Sequence, residues 1–178
     1  MAIPRTPLLL FAGALVTALA GCGNATSGTV VTDDGYIALR DGHAVVSAPG
    51  QPDASIAADG ALRIGEAAIA TTPVQRAQLA RYYAEAAALR DDGIATGKAG
   101  LAVAGHALGS VISGLVSGDP DRIDKEVDAK ARTVEASARK LCADLAQLRS
   151  TQDAIAAQLP DFRPYARIGA GDAERCQR

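Results

Sequence analysis

The chain has 178 residues, 18 of them basic and 20 acidic, with a formal net charge of −2, which argues against the clustered-cation chemistry of nucleic-acid binding. Its 48% hydrophobic content includes no Trp, two Phe and four Tyr, and much of the rest is Ala. The core must therefore be thin and closely packed, and the length fits one domain.

The first segment, "MAIPRTPLLLFAGALVTALAGC", places one cation, Arg5, before an apolar run from Leu8 to Ala20 and a small-residue end, the layout of an export signal over residues 1–21. Its last four residues, Leu19-Ala20-Gly21-Cys22, resemble a bacterial lipobox, which implies lipidation of Cys22. Loss of the signal removes only Arg5 among the charges and takes the net charge from −2 to −3. Each buried acyl CH₂ contributes about 0.8 kcal/mol, so two or three chains on Cys22 would anchor the protein stably to a bilayer. Residues 22–28 read as a tether. By analogy with enteric lipoproteins, Gly23 in place of Asp implies the periplasmic face of the outer membrane.

From Thr29 to Ala70 short apolar patches alternate with Asp34-Gly35, Asp41-Gly42 and Asp59-Gly60. These are read as type I′ turn signals of a small antiparallel β-meander, because both central residues of such a turn need positive φ. Thr72-Pro73-Val74-Gln75 then predicts a helix start, with Thr as N-cap, Pro at the first position and Gln closing a capping box. The first helical arm covers residues 72–117, with Leu79, Tyr82 or Tyr83, Ala86 and Leu89 at helical spacing; whether it breaks at Asp91-Asp92-Gly93 is open. Asp119-Pro120 opens a second arm over 119–159. Its predicted seam is Ile123, Val127, Ala131, Val134, Ala138, Leu141, Leu145, Leu148, Ile155 and Leu159, with Gln152 the polar break. Pro160 ends it, and residues 160–178 form a tail. The expected fold is α+β: a β-meander followed by a long antiparallel helical hairpin within a single domain, 29–178.

The stretch "SIAADGALRIGEAAIATTPVQRAQLARYY", with Asp59-Gly60, Leu62, Ile64, Gly65, Gln75-Arg76, Leu79 and Tyr82, resembles the YggN-like proteins, a domain-of-unknown-function family of proteobacterial envelope proteins. The likeness runs from about Tyr36 to Leu159. It implies an N-terminal β region, following helices and a periplasmic location, and brings no catalytic residues. The Gly-rich helix and the lipobox depart from the family pattern.

Several segments suggest chemistry that their spacing does not support. In "GIATGKAG", Gly93 stands one residue too close to Gly97-Lys98 for a phosphate loop, and Ala99 lacks the hydroxyl that would hold Mg²⁺. His43 and His106 have no partner at metal-ligand spacing. Ser110, Ser113 and Ser117 near His106 lack a Gly-x-Ser-x-Gly elbow. Asp119, Asp121, Asp124, Glu126 and Asp128 lack the twelve-residue calcium-loop spacing and are accounted for by the positive end of a helix dipole. No catalytic, metal or cofactor site is predicted.

Cys142 and Cys176 remain as a pair once Cys22 is lipidated, and an oxidising compartment favours their disulfide. On the chain-entropy model, closing this loop of about 35 residues is worth about 4 kcal/mol. The run from Gly93 to Gly118 is predicted to be a water-soluble arm of the hairpin rather than a membrane span. Its large apolar residues are few, and close approach of the Ala131 and Ala138 side of the second helix would offset the cost of its glycines.

The resulting expectation is a non-enzymatic envelope lipoprotein that acts as an interaction or structural module. Its partners would be the bilayer and an envelope protein not identifiable from sequence, without nucleic acid. The alternatives are an envelope enzyme with a site assembled from scattered residues, or a membrane-active oligomer built on the Gly-rich helix. Metabolic labelling with a fatty-acid analogue should mark the wild-type protein, and Cys22→Ser should abolish both the label and membrane fractionation. Labelling that survives in the variant would remove the lipid anchor.

Overall fold

The computed structural model of the protein describes residues 29–32, 35–117 and 120–176. The predicted signal, Cys22, the tether, Asp34 and the Gly118-Asp119 corner lie outside them. Six strands form one antiparallel sheet in chain order: β1 (Thr29–Thr32), β2 (Gly35–Arg40), β3 (His43–Ser47), β4 (Ala54–Ala57), β5 (Leu62–Ile64) and β6 (Ala67–Ile69). Two long helices follow, α1 (Pro73–Ser117) and α2 (Pro120–Gln158), then a 3₁₀ turn at Pro160–Tyr165 and α3 (Ala170–Cys176). This is the α+β meander-and-hairpin architecture.

The turns follow local chemistry, with differences from the sequence reading. Asp41 and Gly42 both have positive φ, 50° and 75°, which closes a two-residue I′ hairpin between Arg40 and His43. Asp59-Gly60 is not of that type. Gly60 N–H donates to Ala57 O at 2.9 Å and Ala57 N–H to Ala61 O at 2.9 Å, so only Gly60, at φ 81°, needs the left-handed region in this three-residue loop. Gly35 pairs with Thr32 as the first residue of β2, so it is not at a turn centre. Ile64 pairs with Ala67 across a further hairpin at Gly65-Glu66, in which Gly65 has φ 55°.

Strand alternation sends one side chain in two to the core face. Leu39, Ala44, Ile56 and Leu62 make one row across four strands and Ile37, Val46 and Ala54 another; all seven are buried. Onto this face α1 lays Leu79, Tyr82, Ala86 and Leu89, all buried, which assigns the core position to Tyr82 and leaves Tyr83 half-buried. The helix begins in a capping box: Gln75 N–H donates to Thr72 Oγ1 at 3.3 Å, and Thr72 N–H donates to Gln75 Oε1 at 2.9 Å.

Helix α1 continues through Asp91-Asp92-Gly93 without a break. Three contacts fix its antiparallel register with α2. Gln75 Nε2 donates to Gln158 O at 2.8 Å, Gln147 Nε2 to Glu85 Oε1 at 3.3 Å, and Lys140 pairs with Asp92. Going up α1, the partners step down α2 by matching intervals.

The predicted seam of α2 needs correction. Leu148, Ile155 and Leu159 are buried and Leu141, Leu145 and Val134 partly so, but Ala131 and Ala138 are exposed, with Lys130 and Ser137 turned further inward in their place. A straight α-helix drifts about 20° per heptad, so four heptads back from Leu159 the inward line has moved by almost one residue. The side chains of Ile123 and Val127 are not among those described.

Close approach at the helical glycines also does not occur where the structure describes it. A Cβ built on Gly93, Gly97 or Gly100 meets nothing within 4 Å. Among the described residues no buried side chain lies between Leu89 and Cys142. Beyond the sheet, therefore, α1 and α2 continue as a two-helix arm of roughly 40 Å at 1.5 Å per residue.

Two substitutions separate these glycine environments. Gly60→Ala should destabilise the protein by roughly 2–4 kcal/mol, because a Cβ there would lie 2.0 Å from Arg76 O at an unfavourable φ. Gly97→Ala should stabilise it by about 1 kcal/mol, since only helix propensity changes. Urea denaturation of the two variants checks both signs.

Candidate functional site

The C-terminal tail is the part of the chain in which specific side-chain interactions concentrate. Pro160 starts the 3₁₀ turn, and its residues Phe162 and Tyr165 are fully buried. Phe162 meets Tyr82 of α1 edge to face, with ring centroids 5.7 Å apart, and lies 6.0 Å from Tyr165. The Tyr165 hydroxyl donates to Pro52 O at 2.6 Å, which ties the tail to the loop between β3 and β4. Burial raises the pKa of that hydroxyl above its ordinary value.

Gln152, the polar break in the predicted seam, is 1% exposed. Its amide grips one residue of the tail from both sides: Nε2 donates to Ile168 O at 3.2 Å and Oε1 accepts from Ile168 N–H at 3.1 Å. A buried amide is tolerated because both of its functions are met. At the next residue, Gly169 N–H donates to Asp172 Oδ2 at 2.7 Å, at the start of α3. At the far end of α3, the Cys142 and Cys176 sulfurs are at bonding distance with Cα atoms 5.4 Å apart.

A second polar latch joins the sheet to α1. Asp59 pairs with the Arg76 guanidinium, and Arg76 Nε donates to Asp59 O at 3.0 Å. The Ala61 N–H bond, followed by Arg76, holds the exposed Asp59 carboxyl below its usual range. This latch lies where Gly60 passes close to the α1 backbone. At the base of the arm, Lys140 is pinned between Asp92 and Asp144, 2.9 Å from the latter. The pairing lowers the pKa of Asp92 and raises that of Lys140.

The remaining sequence candidates are scattered. His43 is on β3, its Nδ1 2.9 Å from Asp41 O, so the hairpin turn accounts for its contact. Residues 93–98 are continuous helix, and their backbone N–H groups are therefore committed to the helix instead of being free to wrap a phosphate. The backbone of His106, Ser110, Ser113 and Ser117 is helical, but their side chains are not among those described. Among the described residues no three His, Cys, Asp or Glu side chains are grouped to hold a metal ion, and no helix is long and apolar enough to cross a membrane.

No protein-family model matches the chain, and neither a curated protein nor a solved structure is detectably similar to it.

Sequence reasoning missed Phe162, Tyr165 and Ile168 as core residues. The available signal was aromatic: in so aromatic-poor a chain, a Phe and a Tyr after a helix-ending Pro are more useful to a core than to a free tail. Alkylation of the unfolded but unreduced mature protein, with Cys22 acylated or replaced, should find no free thiol. Cys176→Ser should lower stability by about 2–4 kcal/mol and increase amide exchange in α3 while α1 and α2 stay helical. Two alkylated cysteines in the wild type would contradict a native disulfide.

Proposed function

We propose that the chain is a bacterial envelope lipoprotein, acylated on Cys22 and held at the periplasmic face of the outer membrane, that works as a non-enzymatic interaction module. Membership of the YggN-like envelope family belongs to the same reading. The observation that carries it is the division of labour along the hairpin. From Pro73 to Leu89 and from Cys142 to Gln158 the helices supply the core. Beyond those points they form an arm whose described side chains are at most partly covered, with Leu101 75% exposed. Among the described residues nothing packs on this part of the helix pair as a further layer, so a partner lying along it would cover both helices, with Leu101 as an apolar point of contact. The lipid, the tether and the sheet position the arm, and the arm makes the contact.

A photo-crosslinking residue placed at Leu101 tests this in intact cells. Val74, 64% exposed at the sheet end of α1, is the matched control. The expected outcome is a discrete protein adduct from position 101 that position 74 does not give. Equal labelling from both positions, or none from 101, would remove the arm as the interaction surface.

A further inference from the structure

The sheet has a second face, opposite the one that packs on α1. Strand alternation puts Arg40 of β2, His43 and Val45 of β3, Ser55 of β4 and Arg63 of β5 on it. Arg40 pairs with His43, and Val45, Ser55 and Arg63 make one row. None of these residues belongs to the core cluster, and both arginines are exposed.

The charge on this face is of one sign, because none of the six strands contains an Asp or Glu. Arg40 stands over the Tyr36 ring, its guanidinium carbon 5.3 Å from the centroid, and Arg63 donates to the Glu66 carbonyl. Among the described residues neither arginine is paired with a carboxylate. The nearest acidic residues are at the rim. Asp41 and Glu66 stand in hairpin turns, Asp53 accepts from the Tyr36 hydroxyl at 3.5 Å, and Asp59 is held by Arg76 on the helix side. Three strands separate Arg40 from Arg63, roughly 15 Å at the usual strand spacing. That is too wide for one small anion and suits a surface that carries many.

The segment before the sheet identifies the surface. Residues 22–28 join Cys22 to Thr29, where β1 begins at the sheet edge beside β2. Seven extended residues reach at most about 25 Å, so a chain acylated on Cys22 keeps its sheet at the bilayer. We infer that, given the Cys22 anchor proposed above, the helix-free face of the sheet docks on anionic phospholipid headgroups of the same bilayer, with Arg40 and Arg63 as its cationic contacts. An arginine beside such a surface is worth roughly a fivefold bias. The acyl chains already supply attachment, so two arginines are enough to select an orientation. The hairpin is then turned away from the lipid.

A photo-crosslinking residue in place of Ser55, between the two arginines, reads this contact in the acylated mature chain on vesicles. Ser150, exposed on α2, is the control position. On phosphatidylcholine vesicles containing phosphatidylglycerol, position 55 should give a phospholipid adduct and position 150 none. The yield at 55 should fall severalfold at high salt, on phosphatidylcholine alone, and in the double variant Arg40→Gln/Arg63→Gln, whose unchanged melting temperature shows that the fold is kept. Equal lipid adducts from both positions would overturn the docking face, as would a yield at 55 indifferent to lipid charge and to the double substitution. An adduct from 55 to the tether or to a second copy, in place of lipid, also overturns it. A Cys22 found without fatty acid removes the anchor instead; a maleimide lipid coupled to that thiol then restores the tether, and the same adducts still decide the face.

Discussion

The contact between Phe162 and Tyr82 is the one on which the rest of this fold depends. A sheet lined by Ile37, Ala44, Val46, Ala54 and Ile56 and a helix offering Leu79, Ala86 and Leu89 enclose a space that Ala-rich surfaces cannot fill by themselves. Packing must reach near-crystalline density to stabilise a native state, and here the missing volume is supplied from outside the sheet and hairpin, by a 3₁₀ turn at the end of the chain. Once Phe162 is seated between Tyr82 and Tyr165, the Tyr165 hydroxyl can reach Pro52 and the peptide of Ile168 can reach Gln152. Each of these contacts lies on a different element, so one aromatic side chain joins the sheet, both long helices and the tail. The Cys142 and Cys176 pair closes the same arrangement at its far end.

Glycine serves opposite purposes at the two ends of the molecule. At Gly60 the absence of a Cβ lets the turn after β4 pass close to the α1 backbone, and the Asp59 and Arg76 latch forms around that contact. There a residue with poor propensity is offset by close approach. At Gly93, Gly97 and Gly100 the space around the Cα is open, and each glycine costs the helix about 1 kcal/mol relative to Ala with no return from the described chain.

Local structure was legible where a short-range rule has few exceptions. Asp41-Gly42 closed its hairpin, and Thr72 and Gln75 formed their reciprocal cap. Pro120 also stands at the start of α2 and Pro160 just past its end. The rule failed where two geometries share a dipeptide, since Asp59-Gly60 also suits a three-residue loop with a single left-handed glycine. Long-range relations were not legible. A heptad reading placed Ala131 and Ala138 inward because it ignores the slow drift of a 3.6-residue helix, an error that grows with length. Gln152 looked like an interruption in an apolar seam because its partner, the peptide of Ile168, has no sequence signature. The candidate surface was half visible: the Gly-rich run stood out as odd, but its openness depends on where the sheet ends, which periodicity does not encode.

The arm raises a question of stability that the register contacts answer. A two-helix pair without a third layer is marginal in water, since most helical stability in proteins comes from burying an apolar face. Glycines at 93, 97 and 100 make α1 weaker still. What holds it is the continuity of both helices into the core, so that nucleation, the costly step, has already occurred at Thr72 and in the packed half of α2. Gln75 with Gln158, Glu85 with Gln147 and Asp92 with Lys140 then carry the pairing outward one contact at a time. The last of these sits just past the final buried layer, and from there the helices rely on propagation and on each other. Such an arm stays helical yet is easier to deform than the core, and a partner that covered Leu101 would add a third layer to a helix pair that has none among the described residues.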